Sequence, residues 1–283
     1  RLGLKPEQAI KMATIQAAKC YGLHHLGAIA PGYQADFVVL DNLDEMNVLE
    51  VYHKGNKIIR DEKVEIRPCS PQLKNTVHLL GFKESNLRLP WKQGRVHIIK
   101  MFAGQIVTED IMEEVGYVDE NGQKFFKADE TYQKIAAVER HKNTGKVGVG
   151  IVKGFGLRGG AIASSVSHDS HNLIVIGDND HDMYLAVQEL LRVQGGYTLV
   201  ENGEVFDTLP LPIMGLMSDA GYEKVNEKLA RMIPKAHEMG IPKGFDPFIT
   251  LSFMALPVIP EIRITPRGIY LVNEDRMLRT PFS

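Results

Sequence analysis

Cysteine is scarce in this sequence, and its scarcity excludes two kinds of site. The 283 residues include 2 cysteines, Cys20 and Cys69, which lie far apart and form no CxxC pair. Neither a disulfide framework nor a thiolate metal site is therefore indicated. This cysteine usage predicts a protein of the reducing cytoplasm.

Long apolar runs and an excess of one charge are also missing. No uninterrupted apolar stretch could span a bilayer, and no charged-then-apolar leader opens the chain, so no membrane partner is expected. The 33 basic and 35 acidic side chains nearly balance, without a dense Lys/Arg block. Because nucleic-acid phosphates are bound by clustered basic side chains, nucleic acid is not an expected partner.

What the sequence has is enough apolar material for a core. The apolar fraction is 44%, and 283 residues allow one large domain or two ordinary ones. The chain starts with Arg1 rather than Met, directly before a helical pattern. We therefore expect a processed chain or a piece of a longer protein.

Residues 1–66 show one helical pattern followed by short strand patterns. In "KPEQAIKMATIQAAKCYGL", Pro6 suits a first helical turn and Gly22 is a natural stop. "ADFVVLD", "VLEVYHKG" and "KIIR" then predict short strands, the first of them buried, with a hairpin turn at Gly55-Asn56. This unit is too small for an independent core. The following "RPCSPQLKN", residues 67–75, has two prolines and no periodicity, and we interpret it as a linker.

Residues 76–283 are predicted to form an α+β domain with a mixed sheet and segregated helices. Strand patterns include "RVHIIKMF", "QKIAAVERH", "KVGVGIVKG" and "NLIVIGD". Two helices follow, "DMYLAVQELLRVQGG" and "AGYEKVNEKLARMIPKAHEMG", the second with a kink or break at Pro234. Asn202-Gly203 predicts a hairpin between them, and "EIRITPRGIYLV" predicts a last strand pair.

One glycine-rich segment formally matches a dinucleotide-binding motif. "GFGLRGG", residues 154–160, fits GxGxxG after a strand, and Asp178 lies about where a ribose-binding acid would fall. A dinucleotide site needs a helix at the third glycine, whereas the sequence after Gly160 has no helical stripe. The segment therefore favours a turn between strands.

A dense polar run, "SSVSHDSHN" from Ser164 to Asn172, separates two apolar strand patterns. Such a run is costly to bury unless something pairs with it. Its imidazoles could hold a metal, a water or a substrate edge, and a carboxylate could orient one of them. The alternative is a loop whose polar groups hydrogen-bond only within the loop and contact no ligand. The catalytic candidates are His168, Asp169 and His171, and the substrate-binding candidates are Ser167, Ser170 and Asn172.

Other acidic, apolar and histidine residues that could be taken for functional sites are better explained by structural roles. In "DNDHD", residues 178–182, Asn179 or Asp180 suits a helix N-cap, and the acids suit the positive end of the helix dipole. "FITLSFMALPVIP", residues 248–260, predicts core, although its Met and Phe could line a pocket. Five further histidines are interpreted as isolated: His53, His78, His97, His141 and His237.

Two regions carry a family resemblance. "LKPEQAIKMATIQAAKCYGLHHLGAIAPGYQADFVVLD" resembles the closing segment of amidohydrolase-superfamily enzymes, in which a last barrel helix leads into "GxIxxGxxADxxxxD", here residues 27–41. "GFGLRGGAIASSVSHDSHNLIVIG" and "LSFMALPVIPEIRIT" resemble the C-terminal domain of the bacterial adenine deaminase family. The resemblance implies the end of a barrel and β-sandwich segment at 1–66, followed by an adenine-deaminase-type domain at 76–283.

The resemblance also implies an activity. Members of the family hydrolyse adenine to hypoxanthine and ammonia in purine salvage, with one or two divalent metals, Mn or Fe, activating the water. No metal ligand is assigned within this chain, since the family's ligands would all lie upstream of Arg1. The implied partners are adenine, the N-terminal barrel portion and further copies in a homo-oligomer. The alternative is a non-catalytic domain that covers the barrel or builds the oligomer.

Overall fold

Residues 3–58 and 69–281 are described by a computed structural model, and two units are distinguished, Arg1–Pro68 and Cys69–Ser283. The boundary falls inside the segment 67–75 that the sequence suggested as a linker. Residues 67 and 68, and the end of the predicted strand "KIIR", lie outside the described residues. None of the described helices is both long and apolar enough to cross a membrane.

The first unit is a helix followed by a small antiparallel sheet. The helical stretch begins at Pro6, as predicted, and includes a π-helical turn, Met12–Gln16. Its α-helices are α1 (Pro6–Lys11) and α2 (Ala17–Cys20), and its strands are β1 (Phe37–Leu40), β2 (Val48–His53) and β3 (Asn56–Ile58). The hairpin turn is Lys54-Gly55, one residue earlier than predicted, because Asn56 already pairs with His53.

Local contacts explain the "GxIxxGxxAD" pattern. A Cβ at Gly27 would lie 2.8 Å from the backbone of Ile15, so only glycine lets this turn pass the helix. Asp36 accepts a hydrogen bond from the Lys54 amide at 2.8 Å, which joins the entry of β1 to the hairpin turn. That bond is the main reason why the pKa of Asp36 is lowered. The motif therefore has a structural role in the described unit.

The prediction that β1 is buried was wrong for the described structure. Val38 and Val39 are 52% and 37% exposed, since no other described part of this unit covers them.

The second unit is built around an eight-stranded sheet. Its strands are β4 (Val96–Met101), β5 (Thr108–Glu113), β8 (Tyr132–Val138), β9 (Val147–Lys153), β10 (Gly160–Ser164), β11 (Leu173–Gly177), β12 (Gly196–Glu201) and β13 (Glu204–Pro210). The order is β13-β12-β10-β11-β8-β9-β4-β5. All pairs are antiparallel except β4 with β9, so the sheet is mixed, as predicted.

Smaller elements complete the second unit. Two further sheets pair β6 with β7 and join the last three strands in sequence order. The elements are β6 (Tyr117–Glu120), β7 (Gln123–Phe126), β14 (Ile262–Thr265), β15 (Gly268–Leu271), β16 (Arg276–Leu278), α3 (Asp180–Val193), α4 (Tyr222–Glu238) and α5 (Pro247–Phe253). Helix α4 runs through Pro234 rather than breaking there, with Met232 and Ala236 buried on either side.

Alternating side chains give the large sheet two buried faces. On β8, Ile135 and Ala137 join the core that contains α4, α5 and β14–β15, whereas Ala136 and Val138 join the core that contains α3. Glycines in β9 allow the small sheet to approach, since a Cβ at Gly148 would lie 1.9 Å from the Thr265 carbonyl oxygen. The α+β prediction is confirmed, and the helices cover both faces of the sheet.

Candidate functional site

The polar run predicted as a site forms the connection between β10 and β11. These strands are antiparallel neighbours, with Ser164 opposite Ile174. The loop of residues 165–172 therefore connects the two strands at one end of the pair, and both strands are fully buried. Two serines fix its entry. Ser164 Oγ donates to the Val166 carbonyl, and buried Ser165 Oγ donates to the Gly215 carbonyl at 2.6 Å. The start of the loop is therefore internally hydrogen-bonded.

The accessible part of the loop begins at His168 and includes the exposed residues Asp169 and Ser170. The His168 amide donates to the Ser252 carbonyl at 3.0 Å, and its ring stacks on Phe253 with 4.9 Å between centroids. The His168 side chain is 39% exposed and that of Asp169 is 86% exposed. His168 Nδ1 lies 3.9 Å from the Asp169 carboxylate. A half-exposed imidazole with an aromatic support can present a flat face to a planar ligand.

His171 and Ser167 face inward. The His171 amide donates to the Ser167 carbonyl at 2.6 Å, and His171 adopts φ +50, so the chain turns back sharply between them. Ser167 Oγ and His171 Nδ1 are buried polar atoms without a hydrogen-bond partner. Burial lowers the pKa of His171, and His168 and Arg140 act in the same direction, so the imidazole is neutral at neutral pH.

Ser170 and Asn172, the other predicted binding residues, are engaged within the loop. Asn172 Nδ2 donates to Ser170 Oγ at 3.1 Å, and Asn172 Oδ1 accepts from the Arg140 amide at 3.3 Å. The Ser170 carbonyl lies 2.7 Å from His141 Nε2. His141, interpreted from sequence as isolated, therefore contacts the loop across 29 residues of chain.

Sequence reasoning also missed Arg140, which follows β8. It is 1% exposed, and its Nε donates to the His171 carbonyl. Nothing in "AAVERH" distinguishes this arginine from a surface residue, because its partners are backbone carbonyls far away in the chain.

A metal ligand set is not present in the described parts of the chain. Across residues 3–58 and 69–281, no three His, Cys, Asp or Glu side chains converge in a way that could hold a metal ion. The His168 and His171 rings are 6.0 Å apart between centroids, and Asp169 points to solvent. Catalytic divalent sites use about three protein ligands. The loop by itself does not fit a metal.

The glycine-rich segment is a turn, as predicted. Strand β10 begins at Gly160, and the Asp178 carboxylate accepts hydrogen bonds from the amides of Gly159 and Gly160. A bound phosphate would need those amides as hydrogen-bond donors, and the Asp178 carboxylate already occupies them. The turn is therefore not a nucleotide-binding site. A cavity of about 400 Å³ nearby is lined by Arg158 and Lys235, among others, and by no residue of the loop 165–172.

The polar segment after β11 caps α3, as predicted, with Asn179 at the N-cap position. Asn179 Oδ1 accepts from the Asp182 amide at 2.8 Å, and Asp180 and Asp182 lie in the first helical turn. Asp180 additionally pairs with Lys134, whose side chain is 5% exposed. The segment "FITLSFMALPVIP" contributes core residues such as Phe248 and Leu251, although Ile249 and Val258 are exposed.

Comparisons with known proteins match both units. Residues 105–276 match the adenine deaminase C-terminal domain, and residues 1–59 match the amidohydrolase family. Similar curated proteins include adenine deaminases of Desulfitobacterium hafniense (53% identical over 98% of this chain), Petrotoga mobilis (42% over 96%) and Clostridium acetobutylicum (43% over 98%). The chain spans about half of these relatives' length: 48%, 48% and 49%. The chain therefore belongs to the family defined by the adenine deaminase C-terminal domain.

Proposed function

We propose that this chain is part of an adenine deaminase, which converts adenine and water to hypoxanthine and ammonia, and that its loop 165–172 contacts the purine. The relatives' names and the two family matches support the activity. One structural observation supports the role of the loop: it carries two buried polar atoms without partners, Ser167 Oγ and His171 Nδ1. Unpaired buried polar atoms are costly, so each of them needs an explanation, and a bound substrate is one that accounts for both.

The residues of the loop suit a purine. Neutral His171 can accept or donate a hydrogen bond at neutral pH and could exchange a proton with the ring or the leaving amine. Ser167 Oγ can both donate and accept. His168, stacked on Phe253, offers a flat surface to the purine. Asp169, Ser170 and Asn172 are the other polar side chains of the loop, and Asn172 is hydrogen-bonded to Ser170.

The metal that activates the water, Mn or Fe, is proposed to be held by the amidohydrolase barrel portion. Amidohydrolase family membership supports a divalent metal, and the described residues of this chain have no set of ligands for it. The chain's own residues then bind and orient the purine. We further propose a cytoplasmic purine-salvage enzyme that assembles as a homo-oligomer; the free cysteines Cys20 and Cys69 suit a reducing compartment.

Replacing His171 with Ala in the complete metal-loaded enzyme tests the loop. We expect turnover to fall on the order of 100-fold or more, with the melting transition nearly unmoved. The matched control is His181→Ala, which removes a surface imidazole paired with Glu84 and should leave turnover normal. A His171→Ala enzyme that melts several degrees lower, but whose folded fraction turns over normally, would show that the loop is scaffold.

Ser167→Ala gives a second, independent readout. If the loop is only scaffold, removing an unpaired buried hydroxyl should leave stability unchanged or raise it, without any kinetic effect. If Ser167 contacts adenine, KM should rise roughly 10-fold, the loss of about one hydrogen bond. Unchanged kinetics in both variants would favour the second candidate, a structural or oligomer-building domain. The internal hydrogen bonds of Ser165, Ser170 and Asn172 support that candidate.

A further inference from the structure

Arg140 is a buried cation with no carboxylate partner among the described residues of the chain. It is 1% exposed, and each of its hydrogen-bond acceptors belongs to the backbone or to a threonine hydroxyl. Burial lowers its pKa to about 10, so the guanidinium stays charged at neutral pH. Burying an ion without a counter-ion is costly, which calls for a reason beyond packing.

The hydrogen bonds of Arg140 join three distant segments. Its Nε donates to the His171 carbonyl, Nη1 to the Thr76 carbonyl at 2.8 Å, and Nη2 to the Met214 carbonyl at 2.9 Å. The planar fork of a guanidinium can hold several acceptors in fixed directions at once, which a lysine ammonium does with less geometric control. The Arg140 amide also donates to Asn172 Oδ1, so both backbone and side chain contact the end of the loop.

The turn around Gly215 is shaped to this guanidinium. A Cβ at Gly215 would lie 3.0 Å from the Arg140 guanidinium, and Gly215 has φ +72. The Gly215 carbonyl also accepts from Ser165 Oγ at 2.6 Å. The same turn thus holds the start of the loop through Ser165 and its end through Arg140.

We infer that Arg140 is a positioning residue, which fixes the loop 165–172 against residues 76 and 214–215 so that Ser167 and His171 are held in place for the reaction. It acts through His171 and touches no reacting atom itself. The inference rests on the proposed function of the loop, because positioning matters for turnover only if the loop contacts the substrate. Misplacing a reactive group by about 1 Å costs on the order of 100-fold in rate.

Arg263 provides a matched control. It is also fully buried, its pKa is also lowered by burial to about 10, and it donates only to backbone carbonyls, among them those of Ile106 and Ile259. None of its hydrogen bonds reaches the loop 165–172; the longest of them, at 3.4 Å, goes to the carbonyl of Phe253, whose ring supports His168. Removing either guanidinium leaves buried carbonyls unpaired, so both changes should lower the melting temperature by at least several degrees.

The test compares Arg140→Met and Arg263→Met in the complete enzyme, by amide hydrogen exchange and by kinetics corrected for the folded fraction. In Arg140→Met we expect the amides of residues 165–172 to exchange at least 10-fold faster than in Arg263→Met. We also expect kcat/KM of Arg140→Met to fall on the order of 100-fold below that of the unsubstituted enzyme. Arg140→Lys keeps the charge and part of the bonding, so it should recover part of the lost rate.

Two results would overturn the inference. The first is equal loop exchange in the two methionine variants. The second is normal turnover of Arg140→Met with impaired turnover of His171→Ala, which leaves the proposed function standing. Normal turnover of His171→Ala would instead remove the proposed substrate-contacting role of the loop, and this inference with it.

Discussion

The two units of the chain differ in how much of their apolar side chains they bury. Among the described residues of the first unit, Ala18 is the one buried apolar side chain, while Val48 and Leu49 on β2 are 56% and 63% exposed. The second unit covers both faces of its large sheet and buries residues such as Ile135 and Leu190 completely. The described part of the first unit therefore has no core of its own, and the second unit has two cores.

This difference agrees with the family matches. The amidohydrolase match lies within the first unit, residues 1–59, and the adenine deaminase C-terminal match lies within the second, residues 105–276. We propose that the exposed apolar strands of the first unit are covered by the barrel portion of the enzyme. A patch of exposed aliphatic residues on a small sheet is otherwise an aggregation hazard.

The largest expected effect comes from separating the units. Residues 69–283 expressed alone should unfold in one cooperative thermal transition, since they contain both cores. Residues 1–68 alone should show no cooperative transition, since a three-stranded sheet without a covered face is marginal in water. Circular dichroism melts of the two pieces measure this. Cooperative unfolding of residues 1–68 alone would break the comparison.

A pair of identical substitutions sharpens the contrast. Leu190→Ala in α3 removes a fully buried side chain and should lower the free energy of unfolding of its unit by about 2–5 kcal/mol. Leu49→Ala on β2 removes one that is 63% exposed and should change stability by less than about 0.5 kcal/mol. Denaturant titrations of this chain measure both.

The complete enzyme adds a second readout for Leu49. If the barrel portion covers β2, the same Leu49→Ala change should lower the free energy of unfolding more in the complete enzyme than in this chain. Equal, small costs in both settings would show that the face stays open to solvent.

Local patterns in the sequence were good guides to local structure. The N-cap at Asn179, the Asn202-Gly203 hairpin between β12 and β13 and the glycine-rich turn before β10 all follow from contacts within a few residues. The helix through Pro234 was less predictable, because tertiary packing on both sides of the proline outweighs the local cost.

Long-range partners could not be read from the sequence. The position of β10 between β11 and β12 depends on pairing, and the strand patterns show no preference among partners. Arg140 meets His171, 31 residues away, and Met214, 74 residues away, through backbone carbonyls that carry no residue-type signal. The loop's composition therefore pointed to a candidate site, while the residue that holds the loop was visible only in three dimensions.

A smaller effect than that of Leu190→Ala is expected from acid, to which the two units should respond differently. Glu139, next to Arg140, accepts hydrogen bonds from the amides of His141, Lys142 and Thr144 at 2.6, 2.8 and 2.9 Å. Burial opposes ionisation of this carboxyl, but the three amides together outweigh it and lower its pKa to about 2. Asp36 in the first unit also has a lowered pKa, mainly through the Lys54 amide, but its side chain is open to solvent.

A carboxyl whose pKa is lowered on folding stabilises the folded state above its unfolded pKa and loses that contribution as the pH falls. For Glu139 the loss should run from about pH 4.5 down to about pH 2 and amount to roughly 1–2 kcal/mol, after allowing for solvent screening. Glu139→Gln should therefore lower stability at pH 7 and flatten the acid limb of the stability profile of residues 69–283. Asp36→Asn in the whole chain should leave that limb unchanged. Denaturant midpoints measured from pH 7 to pH 2 check both, and an acid limb that keeps its slope in Glu139→Gln would show that the three amides do not stabilise this turn.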